Sequence, residues 1–75
     1  MPELPLISAT TAIRTFGKFG WAEDRQVGSH RILVKSGYPA VLSVPERREL
    51  PRGTLRALIR TAGITVAEFD RALRS

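Results

Sequence analysis

Between Trp21 and Val44 the chain is interrupted by turn-forming residues at intervals too short for a helix to develop. Gly28-Ser29 and Ser36-Gly37-Tyr38-Pro39 bound three stretches, Trp21–Val27, His30–Lys35 and Ala40–Val44. Parallel strands need a crossover of a dozen or more residues, which these connections do not supply. The punctuation therefore predicts a three-stranded antiparallel meander. In the second stretch Ile32 and Val34 share one face, and His30 belongs by parity to the same alternating set. His30 also opens that strand, directly after a turn.

The flanking segments carry helical spacing. Ser8 is a good N-cap, Ala9, Ile13 and Phe16 form an apolar stripe, and Gly20 is expected to end a first helix near Phe19. No Glu stands three residues after Ser8, so no capping box is expected there. Pro45 closes the third strand, and Glu46 to Leu50 is a charged connector. A second helix is expected over Pro51–Ala62, with Pro51 in its first turn, Leu55, Leu58, Ile59 and Ala62 inward, and Gly63 as its stop. Thr65-Val66-Ala67-Glu68 is a capping box that opens a short final helix with Val66, Phe69 and Leu73 inward. The expected fold class is α+β: an αβββα sandwich with a short C-terminal helix, forming one domain over residues 1–75. A chain of this size buries only about 60% of its unfolded surface.

Several function classes fall away on inventory. The chain has no cysteine and one histidine, His30, so it offers no disulfide, no thiolate zinc site and no His-rich metal site. It carries no phosphate loop or dinucleotide fingerprint, and no cofactor is expected. The lack of cysteine fits a cytoplasmic setting. No apolar run reaches the roughly 20 residues that span a bilayer, and Met1 to Ser8 lacks the basic region of a signal peptide. No membrane partner is expected. The charge balance points elsewhere: 12 Lys+Arg against 7 Asp+Glu leave +5, and all but two of the cations are arginine. The planar guanidinium fork suits phosphate, so the bias favours a polyanionic partner.

His30 is the side chain best suited to move protons near neutrality. RNA cleavage asks for little more, because the substrate supplies its own nucleophile, the 2′-hydroxyl. The protein must orient a phosphate, stabilise its charge and shuttle a proton. Arg52, Arg56 and Arg60 recur every four residues, a stripe roughly 110° around the helix from its apolar face and so exposed. Arg31, Lys35, Arg47 and Arg48 add positive charge near His30, and Gly28 and Ser29 complete the expected RNA-contacting set. A Ser29/His30/Asp24 hydrolase is excluded, since adjacent strand residues point to opposite faces. Two alternatives to catalysis stand beside it: an RNA-binding module of the same fold in which His30 is a contact residue, and a small structural domain, which leaves the arginines unexplained.

Several blocks together resemble the HicA family, the toxin half of HicAB toxin–antitoxin modules. They are Leu4-Pro5-Leu6-Ile7-Ser8, Phe19-Gly20-Trp21, Arg25-Gln26-Val27-Gly28-Ser29-His30, Val44-Pro45, and the run from Glu49 to Ile64 containing Gly53-Thr54-Leu55-Arg56. The resemblance implies a double-stranded-RNA-binding-like fold, ribosome-independent cleavage of messenger RNA, a catalytic histidine at His30, and a HicB-like antitoxin that occludes it. One departure stands out. Many members carry a second histidine just after the Val-Pro that ends the third strand, where this chain has Glu46-Arg47-Arg48 in a shorter connector. If that histidine assists catalysis in relatives, the resemblance implies either that Arg47 or Arg48 substitutes for it or that activity is weaker here.

Overall fold

The computed structural model describes residues 3–75; Met1 and Pro2, the first residues of the expected domain, lie outside the described residues. The elements run α1 (Ala9–Gly17), β1 (Ala22–Val27), β2 (His30–Val34), β3 (Leu42–Pro45), α2 (Arg52–Ala62) and α3 (Val66–Arg74). This is the expected αβββα layout with a C-terminal helix. The three strands form one antiparallel sheet in the order β1-β2-β3. Gly28 takes a φ of 59° at the first of two loop positions, and Val27 faces His30 across the hairpin. A positive φ there lets the turn match the right-handed strand twist.

The element ends differ from expectation in physically readable ways. α1 stops at Gly17 with Lys18 as its cap, and Gly20 (φ 97°) shapes the turn that follows rather than the helix end itself. β1 begins one residue late at Ala22, and Trp21 is buried in the core instead. β2 ends at Val34 because the Lys35 carbonyl accepts from the Tyr38 N–H at 3.0 Å, closing a turn. β3 starts at Leu42 instead of Ala40 and continues through Pro45, which an edge strand tolerates. Pro51 is the N-cap of α2 and not its first turn, while Gly63 (φ 77°) ends it as expected. The capping box of α3 forms in full, and the helix has nine residues, the same as α1.

All three helices lie on one face of the sheet. Leu33, Leu42 and Val44 meet Phe16, Leu55, Ile59 and Phe69 in a single buried cluster. Phe16 and Phe69 pack with ring centroids 4.9 Å apart, so α3 is part of the core and not an appendage. Ile13, Val66 and Leu73, expected inward, are only half-buried at its margin. The segment before α1 is stitched along the β3–α2 connector. Leu50 N–H donates to the Ile7 carbonyl at 2.7 Å, Ala9 N–H donates to the Arg47 carbonyl at 3.0 Å, and Leu4 is fully buried.

Candidate functional site

Strand alternation decides which face of the sheet is covered. Leu33 lies in the core, so its neighbours of the opposite parity, His30, Ile32 and Val34, lie on the face without helices. The shared face predicted for these three residues is therefore the open one. His30 is exposed there, at the hairpin end of β2. Its Nδ1 lies 3.1 Å from the Ser43 hydroxyl on β3, in a hydrogen bond whose donor depends on the ring tautomer. When Nδ1–H donates to Ser43, Nε2 is left as a free acceptor on the far side of the ring.

The β3–α2 connector is fixed beside this histidine. Pro45 is its cross-strand partner, and Glu46 N–H donates to the Ser29 carbonyl at 2.7 Å. Arg47 and Arg48 therefore leave the sheet at the same end as His30, both exposed and both beside a shallow cleft lined by Glu46 to Glu49. Gly28, Ser29, His30, Arg47 and Arg48 form one neighbourhood.

The remaining expected cations lie elsewhere. Arg31 belongs to the helix-side parity and is already engaged. Its guanidinium donates to Glu23 at 2.8 and 3.0 Å and to Thr10 at 3.2 Å, with Glu46 at 3.5 Å, and its side chain is only 19% exposed. That hydrogen bond holds the Glu23 carboxyl below its ordinary pKa and raises that of Arg31. A β-bulge between Glu23 and Arg25 resets the parity of β1, leaving Glu23 on the Arg31 side and Arg25 on the open face opposite Ile32. Lys35 is half-buried, with its ammonium 5.5 Å from the centre of the Tyr38 ring. Arg52 donates to the Leu4 carbonyl at 2.5 Å, tying α2 to the N-terminal segment. Arg56 and Arg60 are exposed on α2, as the stripe predicts, but on the layer opposite His30. Tyr38 donates to the Thr61 carbonyl at 3.4 Å, which puts the Arg60 end of α2 at the other end of the sheet as well. The five residues of β2 alone separate the two ends by roughly 13 Å.

Ser43 is the site residue that sequence reasoning missed. The buried pair Leu42 and Val44 marks it as facing the open side, so its face was readable. Its pairing with His30 was not, because that depends on the register that sets Ile32 opposite Ser43. Asp24, the acid of the excluded triad, is instead paired with Arg25 at 2.6 Å. Among the described residues no group of three metal-ligating side chains gathers, and no helix is long and apolar enough to cross a membrane.

The chain is thus a small basic α+β domain with its single histidine exposed on the sheet face that carries no helix. A family model described as the HicA toxin of bacterial toxin–antitoxin systems matches residues 9–64, and the chain belongs to that family. The matched span takes in everything from α1 to the end of α2 and leaves α3 outside. No curated protein matches the chain. As a member of a toxin–antitoxin family it has an antitoxin as its implied partner.

Proposed function

We propose that this toxin is an endoribonuclease that cleaves messenger RNA without the ribosome, with His30 as its proton shuttle. The observation that carries the reading is the His30–Ser43 pair: an exposed imidazole on a bare sheet face, its Nδ1 held by a neighbouring hydroxyl at 3.1 Å and its Nε2 turned away from that bond. In the proposed step, Nε2 takes the proton of the RNA 2′-hydroxyl as that oxygen attacks the adjacent phosphorus. The bond from phosphorus to the 5′-oxygen breaks, and the imidazolium returns the proton to that oxygen. The products are a 2′,3′-cyclic phosphate and a free 5′-hydroxyl. Proton and electron pairs balance without a metal or a protein nucleophile.

Arg47 and Arg48, exposed on the connector that leaves the sheet beside His30, would neutralise the phosphate that gains charge. Gly28 and Ser29 would meet the RNA backbone through their main chain. Arg31, Lys35 and Arg52 have structural partners and are left out of the RNA path, as are Arg56 and Arg60 on the opposite layer. A HicB-like antitoxin that covers His30, Arg47 and Arg48 would occlude this site and compete with RNA. The site lies in one domain that exposes it directly, which suits control by a separate molecule in the cytoplasm.

The test is incubation of purified protein with RNA in chelator, wild type beside His30→Ala. Cleavage by the wild type alone, with equal RNA binding by both, supports the reading. Equal cleavage by both proteins would sink it, and binding without cleavage by either would make the chain an RNA-binding module.

A further inference from the structure

We propose that the groove between α2 and α3 docks a protein segment that seats an aliphatic side chain between two carboxylates. The groove has a volume of about 230 Å³ and is lined by Arg56, Ile59, Arg60, Ile64 and Val66. Its floor is apolar and its rim carries two guanidiniums one helical turn apart, a spacing of about 6 Å along the axis. Neither guanidinium has an ion-pair partner among the described residues. The nearby acids of α3 are already committed: Glu68 accepts the Thr65 N–H at 2.8 Å, and Asp70 pairs with Arg74 at 2.9 Å. Two uncompensated arginines beside an apolar floor are unexplained by the fold, since neither side chain ties one element to another.

The lining chooses between polyanions. An RNA strand would use the arginines but would gain nothing from Ile59, Ile64 and Val66, and no aromatic ring lines the groove for base stacking. A protein segment uses both parts: an aliphatic anchor fills the floor, and flanking carboxylates take the arginine forks. The position fits the same choice. The groove lies on the helix layer and toward the far end of the sheet from His30, so a partner held there leaves the open face free. Val66 belongs to α3, outside the residues 9–64 that the family model matches, so the groove is finished by a part of the chain outside that match. The proposal does not rest on the chemistry of His30.

A displayed library of random linear peptides, panned against the full chain, tests it. The expected selection is for Asp or Glu flanking Leu, Ile or Val, and a synthetic peptide of that pattern should shift the methyl resonances of Ile59, Ile64 and Val66. The Arg56→Gln/Arg60→Gln double variant, both positions exposed, should keep its fold and bind that peptide about tenfold or more weakly, as expected for losing charge-assisted hydrogen bonds. A 2′-O-methyl RNA oligonucleotide should leave those methyls unmoved, with the same salt dependence of binding in the double variant. Failure to select acidic–aliphatic peptides, or equal peptide binding by the double variant, overturns the proposal. RNA that moves the groove methyls gives the surface to nucleic acid instead.

Discussion

The two faces of the sheet are built from the same strands and have opposite fates. On β2, Leu33 is fully buried against the helices while His30, three residues earlier, stands in solvent. On β3, Leu42 and Val44 are buried while Ser43 between them holds the histidine ring. The open face keeps Val27 and Val41 about half exposed, at 55% and 51%. No helix covers that face; Ile32 on it is still buried, whereas His30 and Ser43 are exposed and free to serve chemistry. Buried and exposed site residues thus share β2 and β3, and a change at His30 or Ser43 should leave the helix-covered face nearly untouched.

The largest expected effect comes from the open face. His30→Ala should lower RNA cleavage by about 10²–10⁴-fold, with its thermal midpoint close to wild type because the side chain is exposed. A large loss of stability would show that His30 is not free of structural duty. Leu33→Ala makes the opposite test: it removes a fully buried side chain and should cost about 2–5 kcal/mol in urea unfolding. A 75-residue domain has little stability to spare, so this variant should be partly unfolded at 37 °C, and a fully folded one would mean that the core tolerates the cavity.

Smaller effects sharpen the picture. Arg47→Gln/Arg48→Gln should flatten the salt dependence of single-stranded RNA binding by about 0.7 in log–log slope for each phosphate that is no longer neutralised. An unchanged slope would separate the connector from the RNA path. Thr65→Ala removes the hydroxyl that caps α3 and should cost about 1 kcal/mol, measured by the same unfolding titration, with cleavage intact. The pH dependence is expected to be the gentlest. The backbone N–H of Thr65 lowers the Glu68 pKa, and the Arg31 hydrogen bond lowers that of Glu23. Groups with depressed folded pKa values stabilise the protein while ionised. Their contribution is complete above the unfolded glutamate value, about 4.3, and is lost as pH falls through the lower folded values. Glu23→Gln/Glu68→Gln should flatten this acid limb in urea midpoints measured across pH; an unaltered limb would mean that other carboxylates carry it.

Much of this was legible from local chemistry. Turns at Gly28-Ser29 and after Lys35 cut out the strands, and Thr65 with Glu68 announced the last helix, because capping and turn conformations are satisfied within a few residues of chain. The boundaries that slipped are those set by distant contacts. Trp21 left β1 for the core, and α1 gave up its last two expected residues to the turn around Gly20. The arginines were the least legible. Sequence gives their charge and, on a helix, their stripe, but not their partners, and Arg31 and Arg52 were already taken up by Glu23 and the Leu4 carbonyl.

By itself the sequence determined the order of elements, the lone histidine at a hairpin end and the blocks that mark the family. Each of these is written in short-range pattern or in residue identity. Only the tertiary structure decided which face of the sheet the helices would cover, and with it that His30 stands open while Arg31 beside it is held in an ion-pair cluster. It also decided that Ser43 would reach the imidazole and that Arg56 and Arg60 would border a groove on the other layer. The reason is physical: alternation along a strand assigns residues to two faces but does not name them, and the choice is made only when the apolar stripes of α1, α2 and α3 find the one face that can bury them.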